Sequence, residues 1–287
     1  MRRMLVFLGL LVFPAGLVAG NHGLSVSTVD GAGEITDCSQ LRATFDDQPA
    51  VTATETVPIS ASRSLVVRAP RNGGIWVAGS DSATFEVRAC KAAALAETLG
   101  AIRTQVRGDA VSAEGPDGGD WVVYFLVRAP RNGSLDLRTT NGPISIRSVN
   151  GSVTAHALNG PISLRETSGD LQIETTNGPI SLDGGSGAAK LSAENGPISV
   201  RLRGTQWDGT LDAHAENGPV SLHVPPGFIT GVVLQSNGHG PVSCRAEACR
   251  DARRTWSDDD DSRRIELGSG PVAVHLSTVN GPVSVKD

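Results

Sequence analysis

The chain has 287 residues, a formal net charge of −5, 34 glycines, 4 cysteines and only 4% aromatic side chains. An acidic chain of this kind lacks the basic footprint of a nucleic-acid binder, and so few aromatics leave little for bases or sugars to stack on. The glycine share, well above the usual ~7%, points to a chain with many tight turns.

Met1, Arg2 and Arg3 precede an apolar run from Leu5 to Ala19, broken only by glycine and Pro14. That is the form of a secretory signal peptide over residues 1–20, with cleavage after Ala19 or Gly20. The run is short for a membrane span. No cysteine follows it to carry a lipid, and Val283–Asp287 is not a hydrophobic tail, so no transmembrane anchor is expected after cleavage. Without Arg2 and Arg3 the 25 basic residues become 23 against 30 acidic ones, a balance of −7. The expected location is secreted, periplasmic or at the cell surface.

Residues 21–120 read as a β-rich region with weaker order, the first part or cap of the repetitive segment beyond it. Apolar β-like stretches fall at Leu41–Phe45, Val51–Thr56, Leu65–Arg68, Ile75–Val77 and Phe85–Val87. An alanine-rich segment near 91–103, with Leu95, Leu99 and Ile102 at helical spacing, predicts one short helix that caps the sheet against further strand pairing. Arg68–Gly73 recurs verbatim as Arg128–Gly133, so the repeating unit is expected to begin in this half. Cysteines in an exported chain favour disulfides over metal. Cys244 and Cys249 are close enough to staple one loop, which leaves Cys38 for Cys90; spacing alone is also compatible with the crossed pairings.

From 121 to 287 the chain returns repeatedly to Asn-Gly-Pro-Ile/Val-Ser-aliphatic, with copies starting at Asn141, Asn159, Asn177, Asn195, Asn217, His239 and Asn280. A companion series, offset by nine residues in its regular stretch, starts at Asn132, Asn150, Ser168, Ser186, Asp208, Thr230 and Ser269. Two nine-residue units make an eighteen-residue period. Asn-Gly is a turn dipeptide that tolerates positive φ, and the proline after it suits a strand start. Strict alternation then puts Ile144/Ile146, Ile162/Leu164, Ile180/Leu182, Ile198/Val200 and Val220/Leu222 inside. Leu135/Leu137, Val153/Ala155, Leu171/Ile173, Ala189/Leu191 and Leu211/Ala213 face the same interior. The predicted fold is all-β: a flattened two-sheet β-solenoid of eighteen-residue coils with one short capping helix.

The main series advances by 18, 18, 18, 22, 22 and 41 residues. The extensions around Arg201–Trp207 and His223–Gly227 read as lateral loops. The last interval contains an insertion at 244–267 with the Cys244/Cys249 pair, the basic stretch Arg250–Arg254, Trp256, the acidic run Asp258–Asp261 and a β-like stretch Arg264–Leu267. Insertions of this sort often mark the functional side of a repeat protein.

Candidate chemistry is sparse. The calcium-binding nonapeptide needs a carboxylate in every unit, whereas Asp136, Asp170, Asp183 and Asp212 do not form one column. Four consecutive acids at Asp258–Asp261 read as a solvated run rather than a dedicated cation loop. His22, His156, His214, His223, His239 and His275 lack zinc spacing, and His239 takes the place of a turn asparagine. There is no Gly-x-Ser-x-Gly elbow, and Gly184–Gly187 falls where a companion turn belongs. No catalytic residue, metal or cofactor is expected.

The candidate binding face is an outward hydroxyl stripe: Ser145, Ser163, Ser181, Ser199, Ser221 and Ser243, continued by Ser284 and flanked by Arg147, Arg165, Asp183 and Arg201. Small hydroxyls are also ordinary at exposed strand positions. The turn asparagines Asn141, Asn159, Asn177, Asn195, Asn217 and Asn280 read as structural, since stacked amides form ladders.

The Thr-x-Asn-Gly-Pro-Ile-Ser-Leu type of repeat at 139–146 and 175–182, its closing copy at Thr278–Val285, and the signal peptide resemble the bacterial putative-adhesin family of exported β-solenoid domains. The resemblance covers most of 120–287. It implies architecture and surface binding, and assigns no functional residue. The leading expectation is a non-enzymatic surface-binding or scaffolding protein whose partner is a cell-surface glycan, an envelope polymer or another solenoid. The alternatives are a polysaccharide hydrolase or lyase, with the 244–267 insertion as its site, and a self-assembling envelope protein.

Overall fold

The computed structural model describes residues 23–28, 35–238, 240–256 and 263–287; the expected signal peptide, His22, His239 and Asp258–Asp261 lie outside the described residues. A small antiparallel sheet of β1 (Ser25–Thr28), β2 (Leu41–Phe45) and β3 (Gln48–Pro49) comes first. Next are β4 (Val51–Val57), β5 (Ser64–Ala69), β6 (Ile75–Ser80), β7 (Glu86–Ala93), the helix α1 (Ala96–Ala101), β8 (Arg103–Arg107), β9 (Ala110–Glu114) and β10 (Trp121–Pro130). The regular repeats supply β11 (Ser134–Thr139), β12 (Ile144–Arg147), β13 (Ser152–Ala157), β14 (Ile162–Thr175), β15 (Ile180–Asn195), β16 (Ile198–Arg201), β17 (Gly209–Asn217) and β18 (Val220–His223). The chain ends with β19 (Gly231–Ser236), β20 (Val242–Cys244), β21 (Arg253–Trp256), β22 (Arg263–Leu267), β23 (Val272–Thr278) and β24 (Val283–Lys286). The protein is mostly β, and from β4 onward its strands join in large sheets that mix parallel and antiparallel pairs.

The eighteen-residue period becomes a parallel register. Ile144 lies beside Ile162, then Ile180, Ile198, Val220 and Val283; in the companion strands Leu135 lies beside Val153, then Leu171, Ala189, Leu211 and Val274. Every inward residue named from the alternation is buried, none more than 4% exposed. These side chains belong to one continuous apolar core. Matching apolar volumes at each step let one period dry the next, which a single period has too little apolar surface to do.

Two periods stack out of chain order. β5 and β6 form a period ahead of the regular repeats: β5 pairs with β11, and β6 lies between β10 and β12. At the other end, β23 inserts between β17 and β19, and β24 inserts between β18 and β20. The Asn280 unit therefore follows the Asn217 unit in space, and the unit ending in β20 is outermost. The verbatim hexapeptide makes the same local turn twice, with Gly73 N–H donating to the Pro70 carbonyl and Gly133 N–H to that of Pro130. Its two copies nevertheless sit at opposite corners, because Gly73 precedes β6 and Gly133 precedes β11.

The expected helix is shorter than its alanine-rich segment. Cys90–Ala93 belong to β7 and Arg103 begins β8, leaving α1 over Ala96–Ala101. Ladder pairing of β7 with β4 and β10 overrides local helix propensity there. Leu95 is 64% exposed, whereas Ile102 is buried. β10 departs from alternation, with Trp121 to Val127 all buried. Its inner side faces the main core, while Val122, Tyr124 and Leu126 join Trp76, Cys90, Leu41 and Phe45 in a second core beneath the small sheet. The Cys38–Cys90 disulfide fastens that sheet to β7, and Cys244–Cys249 closes the late loop.

The Asn-Gly-Pro corners differ from expectation. Gly142, Gly160, Gly178, Gly196 and Gly218 do not have left-handed φ. The proline after each holds the preceding residue in the extended region. Glycine is required for another reason. A Cβ on Gly160 would overlap the Gly142 carbonyl oxygen, and the same clash with the previous corner recurs along the stack from Gly142 to Gly281. Positive φ belongs instead to the companion corners Gly169, Gly187 and Gly209, which no proline follows.

Ile180→Asp should lower stability by on the order of 4 kcal/mol or unfold the chain, because it buries an unpaired carboxylate, while Ser181→Asp should cost under ~1 kcal/mol; thermal melts compare the two. Gly160→Ala should cost ~2 kcal/mol or more through backbone overlap. Gly100→Ala, where a Cβ meets nothing within 4 Å, should be neutral or stabilising by up to ~1 kcal/mol in the same assay.

Candidate functional site: the serine face

The strands that follow the Asn-Gly-Pro corners carry the serines outward in one unbroken line. Ser145 lies beside Ser163, then Ser181, Ser199, Ser221, Ser284 and finally Ser243. The out-of-order stacking thus puts Ser284 between Ser221 and Ser243. At its start the line meets Trp76, which the small sheet covers, so the exposed face begins at Ser145. The serines are half-buried, apart from the exposed Ser181. The Ser163 hydroxyl donates to the Ser145 hydroxyl at 3.1 Å.

Two positions further along each strand runs a line of Arg147, Arg165, Asp183, Arg201, His223 and Lys286. Sequence reading names the first four and misses His223, which holds the same offset in its repeat and lies beside Arg201, and Lys286, whose place depends on β24 pairing with β18. Asp183 sits in a basic row and takes a two-pronged contact from Arg203, at 2.8 and 2.9 Å. Hydrogen bonding to Arg203 holds the Asp183 carboxyl below its ordinary range, against a smaller opposing effect of burial; Arg201 and Arg165 act in the same direction as Arg203. The row therefore presents net positive charge beside a strip of hydroxyls.

The opposite border of the face is the asparagine corner. Each Nδ2 donates to the Oδ1 of the previous rung: Asn141 to Asn72, Asn159 to Asn141, Asn177 to Asn159, Asn195 to Asn177, Asn217 to Asn195 and Asn280 to Asn217, at 2.8–3.1 Å. The ladder fixes the edge of the face. Its first rung, Asn72, escapes sequence reading, although the verbatim hexapeptide that contains it is the signal that could have found it. The threonine of the repeat has a matching role: the buried Thr139 and Thr278 hydroxyls donate to the Gly142 and Gly218 carbonyls.

The other candidates do not gather into a site. Asp136 and Asp212 fall in one outward row of the companion sheet, separated there by Thr154, Gln172 and Lys190. His214 shares a hydrogen bond with Ser277, and His223 with the Asp287 carbonyl. Of the two extensions, the first is more than a lateral loop: Trp207 is buried, and its indole N–H donates to the Gly187 carbonyl.

No protein-family model matches the chain, and no curated protein matches it. Similar solved structures include a putative cell adhesion protein from Clostridium sporogenes, 11% identical with a TM-score of 0.31, covering 83% of this chain and 99% of that one. A putative adhesin from Bacteroides fragilis is 7% identical with a TM-score of 0.37, covering 82% and 96%. A putative lipid binding protein from Parabacteroides distasonis is 12% identical with a TM-score of 0.28, covering 82% and 97%. Neighbours of the expected adhesin kind are thus present, but likeness at this level carries no argument about function.

Asn177→Ala removes two ladder bonds and should lower stability by ~1–2 kcal/mol. Denaturant unfolding of the variant beside the parent chain checks this.

Proposed function

We propose that the chain is an exported, non-enzymatic surface-binding or scaffolding protein. Its stacked periods form a flattened β-solenoid of eighteen-residue coils, and the serine face is its binding surface. The carrying observation is the unbroken in-register line of seven serines beside a predominantly basic row. Successive rungs repeat at about 4.8 Å, so the face offers the same hydroxyl at every step. Such a surface suits an extended, repetitive ligand such as a cell-surface glycan or an envelope polymer, and its charge favours one bearing acidic groups. Two disulfides support an oxidising, extracytoplasmic setting. No helix among the described residues is long and apolar enough to cross a membrane.

A glycoside hydrolase reading needs a pair of carboxylates flanking the scissile bond. In the row beside the serines the carboxylate is Asp183, which Arg203 already occupies. The binding reading therefore requires less of this face than a hydrolase does; in the 244–267 insertion, where the enzymatic alternative places its site, Glu247 meets Arg250 and Glu266 meets Arg264.

Residues 21–287, incubated with isolated envelope polymers and sedimented, should be depleted from the supernatant in a saturable manner. Ser181→Glu with Ser199→Glu should weaken binding at least ~tenfold at unchanged melting temperature, through repulsion of acidic groups and loss of hydroxyls. Absence of saturable depletion, or equal binding by the double variant, would remove the serine face from consideration.

A further inference from the structure

At three of the four ends of the stacked strands antiparallel strands extend the ladder, so that β4, β8 and β21 are outermost there among the described residues. β10 is followed by β7 and β4, β9 by β8, and β19 by β22 and β21. The fourth end stops at β20, three residues long and paired among the described residues with β24 alone. Val283 N–H donates to the Pro241 carbonyl, and Arg245 N–H donates to the Val285 carbonyl. In a parallel ladder this alternation turns the N–H and C=O groups of Val242 and Cys244 away from β24, towards the open edge. An uncovered edge is a template for another strand.

Beside that edge lies a concavity of about 310 Å³. β20 and Arg245 line one side, and Arg254, Arg263, Arg264 and Ile265 of the β21–β22 hairpin line the other. Arg264 pairs with Glu266 at 2.9 Å, while Arg245 and Arg254 have no ion-pair partner among the described residues. Backbone edge and guanidinium cluster are separate observations that meet in one notch. The edge asks for an extended peptide, and the arginines ask for carboxylates, which their planar forks bind in two-pronged fashion.

We propose that this notch binds an extended acidic peptide segment of a partner protein, which adds to β20 as a further strand. Three or four residues of such a strand, about 10–13 Å, match the length of β20. The peptide's backbone pairs with Val242 and Cys244, and its acidic side chains meet Arg245 and Arg254. Strand addition of this kind draws affinity from main-chain hydrogen bonds and specificity from the pockets for alternate side chains. The notch shares Ser243 with the end of the serine face, but the main-chain pairing proposed here uses Val242 and Cys244.

The test measures fluorescence anisotropy of a labelled, alternating Glu-Val heptapeptide against the full mature chain. Saturable binding that weakens with salt is expected, with none for the Lys-Val analogue. Val242→Pro removes an N–H that β24 does not use, and should weaken binding about five- to tenfold, with a small fall in melting temperature because Val242 also packs against the main core. Arg254→Ala should weaken binding several-fold and reduce the salt dependence. Should Val242→Pro impair folding, a heptapeptide N-methylated at alternate amides asks the same question of the wild-type chain, and it should not bind. Equal affinity for the methylated peptide would reduce the site to anion attraction and overturn strand addition. Absence of saturable binding would overturn the proposal outright, as would a dimer that Val242→Pro dissolves and the peptide does not, which would assign the edge to a second copy of the chain.

Discussion

Backbone passes close against backbone at the glycine corners, and the rest of the architecture depends on it. Each corner glycine faces the carbonyl oxygen of the corner before it with no room for a methyl group. That approach brings successive periods to hydrogen-bonding distance on both flanks. It also aligns the corner asparagines closely enough for their amides to form a chain. In such a chain each amide polarises the next, so the ladder gains from its own length. Inward aliphatics then dry the interior, and outward serines fall into line without any further requirement.

A stack held together by neighbour contacts must end somewhere, and its ends carry the features that the repeats lack. At one end β10 is buried on both faces, because the small sheet and its disulfide cover what would otherwise be the first stretch of the outward face. Lys91, buried against Glu55 and the Ile102 carbonyl, fastens β7 to β4 and to the chain beyond α1. At the other end the carboxyl-terminal strands slot inside the stack, so a three-residue strand from an earlier part of the chain is left outermost. The insertion between β20 and β23 covers one sheet at that end and leaves the other with an open edge.

Inserting the last strands between β17/β18 and β19/β20 has a kinetic corollary. The pairing of Val220 with Val283 must form across a long intervening chain, and entropic closure costs rise with that separation. The regular repeats, with partners eighteen residues apart, are comparatively local. Growth of the stack from the regular repeats outward, with β23 and β24 docking late, is the order that this difference favours.

The eighteen-residue period, the inward aliphatics and the serine and asparagine lines were legible in the sequence, whereas the choice of the nearest-neighbour disulfides over the crossed pairings came from the structure. Strand alternation and corner chemistry are local, and every copy of the motif repeats the same instruction. The order of the rungs was not legible, for the same reason: near-identical units accept any neighbour, so the pattern does not say whether Asn217 meets His239 or Asn280. Only the assembled stack decided that β24 lies between β18 and β20, that Trp76 is covered, and that Lys286 extends the basic row. It also decided why the Asn-Gly-Pro corners need glycine. The φ of that residue is governed by the proline beside it, but the space it must leave empty is set by a carbonyl one rung away.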